Sequence, residues 1–266
     1  MIMKIIADNL RITKTDIQHA LKIRDPGSIQ KLVTQCEQKG AFAIDVNTGP
    51  LTRDPENNMI FFIEAVQSVT NLPIVIDTSN PAAMEAGLKA ANNKAVINGF
   101  SLEPRKLEKI LPLAKEYDAD IVGFLLYSDS MVPKDVSSRC EVALELFEHV
   151  EAAGIAKEKL IIDPVVPPLA WDDGIIQARA VLEVIRTLPD LLGFPVKTIA
   201  GLSNLTTGSK NSKKKNLVEQ SYLAMLASAG LDYVLMDVLN HDTFNTAIVS
   251  DLFAKEDIFS WAMVPE

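Results

Sequence analysis

The chain has 266 residues, with 26 Lys and Arg against 35 Asp and Glu, a formal charge of −9. Apolar residues make up 48% and charged residues 23%, an ordinary globular composition that argues against disorder. The acidic balance argues against broad nucleic-acid or anionic-membrane binding.

No stretch approaches the roughly 18 apolar residues of a membrane helix. The opening MIMKIIADN is too short for a secretory signal and lacks a small-residue cleavage site. Cys36 and Cys140 lie far apart, so they read as buried thiols in a reducing cytoplasm. His19, His149 and His241 are scattered without metal-ligand spacing, which predicts no metal bound by this chain.

Short apolar, β-branched runs recur along the chain, without strict alternation. They are KIIA (4–7) ending at Asp8, AFAIDV (41–46), LPIVIDTSN ending its strand at Asp77, and KAVINGF ending at Asn98. DIVGFLLYSD ends near Leu126, KLIIDP at Asp163, KTIAGLSN at Asn204 and LDYVLMD at Asp237. Such runs read as strands buried on both faces of a parallel sheet.

Between them lie helical patterns at 55–69, 80–91, 103–117, 136–153 and 215–229. Asn80-Pro81 reads as an N-cap followed by a first-turn proline. Gly154 and Gly230 read as helix-terminating glycines. Pro112 predicts a kink or a late start in its helix, and GSKNSKKKN (208–216) reads as a charged loop. Repeated strand-then-helix units predict an α/β fold, a (β/α)8 TIM barrel formed by residues 1–266 as a single domain. A doubly wound open sheet would ordinarily carry a glycine-rich phosphate turn, and none occurs.

A barrel's site lies at the C-terminal ends of its strands. Here those ends carry Asp8, Asp77, Asn98, Asp163, Asn204 and Asp237, and the second strand adds Asp45 and Asn47. Asp and Asn are poor strand formers, so local propensity does not put them there. Helix capping and turn shaping is the bland reading of any one of them. As a set they predict a pocket of carboxylate and amide groups without strand-end Arg, Lys, His or Cys. Lys4, Lys94 and Lys197 all fall at strand starts, so no Schiff base is suggested. A planar ligand rich in N–H donors suits such a pocket, and a 2-amino-4-oxo pterin ring is one. A carboxylate can accept two parallel bonds from its guanidine-like edge.

The strings DVNTGP (45–50), IDTSN (76–80), AVIN (95–98), IDP (162–164) and GLSN (201–204) resemble those of the pterin-binding barrel family. Within it they are most similar to the methyltetrahydrofolate:corrinoid-protein methyltransferases, over nearly the whole chain. The resemblance implies that Asp77, Asn98 and Asp163 hydrogen-bond the pterin ring. It implies that Asn204 reaches N5 and is the catalytic residue, and that Asp8, Asp45 and Asn47 also lie at the site. Where the acetogenic relatives have Glu then Arg, this chain reads Asp8-Asn9, and Thr207 stands where they have Gln. Lys210 and Lys213 are read as contacts to the folate tail or to an acidic partner, with a solvated loop as the alternative.

The implied reaction moves a methyl group between N5 of tetrahydrofolate and a corrinoid carried by a separate protein. Methyltetrahydrofolate or tetrahydrofolate is then the substrate, and the resemblance implies a cytoplasmic homodimer that serves O-demethylation or another methyl-catabolic system. The alternatives are dihydropteroate synthase, a non-catalytic folate-binding barrel, and a phosphate-dependent aldolase-type barrel that lacks its lysine. Phe100 and Tyr127 are read as near the strand ends, Trp171 as a loop residue and Met236 as core.

Overall fold

The computed structural model describes residues 3–49, 53–254 and 258–265. Pro50, the last residue of the DVNTGP string, lies outside them. Eight parallel strands close into a barrel in sequence order: β1 Lys4–Arg11, β2 Ala43–Asn47, β3 Ile74–Asp77, β4 Ala95–Phe100, β5 Asp120–Phe124, β6 Leu160–Asp163, β7 Lys197–Gly201 and β8 Tyr233–Met236. The predicted barrel is the observed one.

The helices are α1 Thr15–Ile23, α2 Gly27–Lys39, α3 Pro55–Gln67, α4 Pro81–Ala90, α5 Pro104–Glu116, α6 Val136–Ala152, α7 Gly174–Leu192, α8 Ser212–Ala229 and α9 His241–Leu252. Two helices, α1 and α2, fill the first crossover. Asn80 caps α4 as its sequence predicts, accepting from the Ala82 and Ala83 amides at 3.0 and 3.3 Å. Losing such a cap costs about 0.5–2 kcal/mol.

Two local expectations change. The helix around Pro112 begins at Pro104 and runs through the proline. Pro112 is exposed, while Ile110, Leu111, Leu113 and Ala114 are buried and hold the helix against the barrel. The lysines of GSKNSKKKN are not all in a loop: Asn211 caps α8, accepting from the Lys214 amide at 3.1 Å, so Lys213, Lys214 and Lys215 form its first turn. Cations there oppose the helix dipole, which is why the sequence reads as a loop.

Side chains alternate across each strand. One set, including Ile5, Ala7, Ile44, Ile76, Ile97, Ile121, Ile162 and Val234, packs under the helices. The other set, Ile6, Ala43, Val75, Val96, Val122, Ile161, Ile199 and Leu235, packs together inside the barrel. That inner layer is the floor on which the site is built.

Candidate functional site

Two residues beyond each floor residue, the alternation returns to the interior. The positions reached are Asp8, Asp45, Asp77, Asn98, Phe124, Asp163, Gly201 and Asp237. Six of these eight are Asp or Asn, so the floor is covered by a polar layer at the C-terminal mouth. Asn47 follows Asp45 by two more residues and extends the layer outward.

The β2–β4 side is rich in acceptors. Asp45 is 2% exposed and its Oδ1 has no hydrogen-bond partner among the described residues. Burial pushes its carboxyl well above the usual range, Asp77 beside it adds to the rise, and Arg11 opposes it. Asp77 accepts from Asn47 Nδ2 at 2.6 Å. Burial raises its pKa to about 6, against the pull of Arg11 and Lys106. Asn98 is buried with Oδ1 unpartnered among the described residues. Gly99 beside it has no room for a side chain, since a Cβ would come within 2.2 Å of the Val122 carbonyl oxygen. A buried polar atom without a partner costs about 1–3 kcal/mol, so the two orphaned oxygens mark where a ligand's donors fit.

Asp163, at the end of β6, is 6% exposed. Its Oδ1 accepts from the Val165 amide at 2.7 Å. Burial raises its pKa to about 7, while the Val165 amide and Arg139 pull it down. Val165 has φ +62°, a left-handed conformation that a β-branched residue adopts only at a cost.

The β1–β8 side is different. β1 continues past Asp8, with one extra residue between Ala7 and Leu10 relative to β2. This bulge turns Arg11 inward, in register with Asn47. Arg11 grips Asp8 with both nitrogens: Nε donates to Oδ1 at 2.6 Å and Nη2 to Oδ2. Nη2 also donates to Ser203 Oγ at 3.1 Å. The expectation of a mouth without strand-end cations is therefore corrected: Arg11 is the residue that sequence reading missed. Asp8 reaches the site already paired with it. Asn9 ties β1 to β8, donating to Asp237 Oδ1 at 2.5 Å and accepting from the Val238 amide at 3.1 Å. The bland reading is right for Asp237, which also accepts from the Leu239 amide at 2.9 Å.

Asn204 is not on β7. The strand stops at Gly201, and Leu202–Thr206 forms a 3₁₀ turn that carries Asn204 to the mouth, exposed. Its amide folds back over Gly201, where a Cβ would meet Nδ2 at 3.1 Å. A cavity of about 330 Å³ opens beside it, lined among others by Asp8, Arg11, Lys14, Ser203, Lys215 and Asn240. Lys215 lines this cavity, whereas Lys210 and Lys213 stand exposed outside it.

Of the other residues read from sequence, Phe100 and Met236 are core. Tyr127 and Trp171 are exposed. Phe124 faces the interior at the mouth end of the inner layer, with Lys106 Nζ 5.9 Å from its ring centre. Cys36 is buried and Cys140 only half-buried. His19 and His241 are exposed, and His149 is half-buried on α6. Among the described residues, no three His, Cys, Asp or Glu side chains could hold a metal ion, and no helix is long and apolar enough to cross a membrane.

A polar layer of this composition on a closed parallel barrel defines a class, and comparison with known proteins supplies the family. Residues 10–237 match the family described as pterin binding enzyme, and the chain belongs to it. Among characterised proteins it is similar to the methylcorrinoid:tetrahydrofolate methyltransferase of Eubacterium limosum, at 23% identity over 96% of this chain and 92% of that protein. It is also similar to the methionine synthase of Mycobacterium tuberculosis, at 23% identity over 74% of this chain but only 17% of that protein. Among solved structures it superposes on Xanthomonas albilineans dihydropteroate synthase with 4-aminobenzoic acid, with TM-score 0.71, 18% identity, and 95% and 93% of the two chains covered. Yersinia pestis dihydropteroate synthase gives 0.69 at 15% identity, over 95% and 94% of the two chains. At these identities the structural likeness speaks for the fold.

Proposed function

We propose that the protein is a methyltransferase that moves a methyl group between N5 of tetrahydrofolate and a corrinoid carried by a separate protein. The observation that carries this reading is the pair of buried acceptors, Asp45 Oδ1 and Asn98 Oδ1, that have no partner among the described residues, together with the carboxyls of Asp77 and Asp163. They suit a planar ligand with a row of N–H donors. The similarity to a methylcorrinoid:tetrahydrofolate methyltransferase over 96% of the chain supports the choice of reaction.

In this reading Asp77 accepts a bidentate pair from the amino-pyrimidine edge of the pterin, a charge-assisted arrangement. Asn98 meets a ring donor and a ring acceptor, and Asp163 accepts a further N–H. Asn204, on its 3₁₀ turn, lies over N5. Its amide oxygen stabilises the protonated nitrogen as charge develops there, which makes the amine a better leaving group. Asp45, whose carboxyl burial and the neighbouring Asp77 push well above the usual range, is the proton carrier this reading assigns. The corrinoid supplies the metal that gives or takes the methyl; positioning falls to the barrel. The folate tail leaves along the cavity lined by Arg11, Lys14 and Lys215. In this reading Lys210 and Lys213, exposed outside that cavity, meet an acidic partner.

The same reading makes the enzyme a cytoplasmic homodimer of a methyl-catabolic system such as O-demethylation. Dihydropteroate synthase is less well supported. That reaction expels pyrophosphate, yet the later strands end in GLSN and MDVLNHD without the cationic residues such a leaving group calls for. Of the cations lining the neighbouring cavity, Arg11 is engaged by Asp8 and Lys215 by Glu219 at 3.6 Å.

The experiment is a calorimetric titration with tetrahydrofolate and methyltetrahydrofolate, followed by a turnover assay with a methyl-corrinoid donor. Micromolar binding with methyl transfer supports the proposal. Binding without transfer leaves a folate-binding barrel, and no binding by the folded protein removes the reading.

A further inference from the structure

We propose that Arg139 is a positioning residue for Asp163: it clamps the backbone that follows β6 and so holds the turn that aims the Val165 N–H at the Asp163 carboxylate. The functional weight of Asp163 rests on the pterin reading, whereas the clamp can be tested without it.

Arg139 comes from α6 and is fully buried. Charged side chains this deep are ordinarily paired with a charge of opposite sign. Arg139 instead donates to neutral acceptors: Nη1 to the Pro164 carbonyl and to the Val165 carbonyl at 3.2 Å, and Nη2 to Gln177 Oε1 at 3.2 Å. Its Nε has no partner among the described residues. Gln177 is itself fixed from α7, donating to Asp173 Oδ1 at 2.7 Å.

The reason for a cation here lies in the turn it grips. Val165 sits at φ +62°, where a β-branched residue does not stay unaided. In that conformation its N–H faces back to Asp163 while its carbonyl faces Arg139. A planar guanidinium can hold the two consecutive carbonyls and the glutamine at once, a geometry that a compact ammonium does not reproduce. The bond chain therefore runs from Asp173 through Gln177 and Arg139 to the turn and then to Asp163. The charged and titratable groups around this pair are Asp135 at the α6 N-cap and Tyr222 from α8. Asp173 stands behind Gln177 with Lys134 at 3.2 Å.

The test is a carboxyl-carbon NMR titration of Asp163 in ligand-free protein, comparing wild type with Arg139→Lys. The clamp predicts that the Asp163 midpoint moves up by about one pH unit or more in the variant, because the amide bond to the carboxylate is lost. Adding Val165→Gly to that variant should bring the midpoint back, since glycine takes the left-handed conformation freely. An unchanged midpoint in Arg139→Lys overturns the proposal. A shifted midpoint that Val165→Gly does not restore overturns the turn-holding role and leaves Arg139 as packing. Should Arg139→Lys fail to fold, Gln177→Ala removes one anchor of the guanidinium and must shift the midpoint in the same direction, by less. Failure of the wild type to bind tetrahydrofolate would count against the proposed function alone.

Discussion

On the β2, β3 and β4 side of the barrel mouth, Asp45 and Asn98 keep an oxygen without a partner among the described residues. On the β1 and β8 side, Asp8, Asn9 and Asp237 are bonded to Arg11, to one another and to the Val238 amide. The two sides use the same residue types at matching strand positions, two residues beyond the inner layer. What separates them is satisfaction: one side has closed its hydrogen bonds within the protein, and the other has left acceptors facing the interior. Closed networks hold a barrel together, while open ones are where a donor-rich ligand lowers the free energy.

The largest expected effect comes from Asn204, which stands at the border between the sides. If it acts on N5 only as charge develops, Asn204→Ala lowers turnover by about 10²-fold with little change in tetrahydrofolate affinity. Equal losses in kcat and in binding would assign it to ground-state contact instead.

Next comes the open side. Asp77→Ala removes a charged acceptor worth about 1.5–3 kcal/mol per bond, so the Kd for tetrahydrofolate should rise by roughly 10–100-fold. An unchanged Kd would close the comparison by showing that the open acceptors are not the binding edge. Asn9→Ala is the matching change on the closed side. It leaves the buried Val238 amide without its acceptor, and it should cost about 1–3 kcal/mol of stability in a denaturant titration while folate affinity stays near the wild-type value.

Asp77 on the open side, together with Asp163 at the end of β6, also predicts two opposite pH trends. Asp77 and Asp163 are raised from 3.8 to about 6 and about 7 by burial. Between about pH 4 and pH 7 the folded chain therefore keeps protons that the unfolded chain has released, and stability from these groups falls as pH rises. The contribution is fully present below about pH 4 and lost once pH passes the folded values. In the proposed reading pterin binding uses the ionised carboxylates, so affinity should rise over the same window. Thermal melts and titrations at about pH 5.5 and pH 8 read the two trends together. Asp163→Asn should flatten both, and a shared direction would contradict the assignment.

Much of this comparison was legible in the sequence. The β-branched runs and the Asp or Asn that ends most of them gave the barrel and the polar layer, because both follow from a period of two. Arg11 was not legible, since a strand stopped at Asp8 puts it in a loop, and only the bulge between Ala7 and Leu10 brings it inward. A bulge leaves no compositional trace. Asn204 was placed on the right segment but the wrong element, because GLSN reads equally as strand end or turn. Arg139 was out of reach. On a helical pattern an arginine reads as surface, and its burial depends on carbonyls after β6 that only the fold brings to it.

The smallest effect belongs to the rim. Lys213 is exposed in the first turn of α8 and lies outside the cavity lined by Lys215. The helix dipole disfavours a cation there, so removing it should not harm the fold. If Lys213 greets an acidic corrinoid protein, Lys213→Ala should slow association by an amount equivalent to about 0.2–1 kcal/mol, and the difference should vanish at high salt. Stopped-flow association at two ionic strengths reads this directly. Tetrahydrofolate affinity should stay put, because in the proposed reading the folate tail follows Arg11, Lys14 and Lys215 instead. If folate binding weakens and partner association does not, the outer lysines serve the small molecule, and the basic rim belongs with the open side of the site.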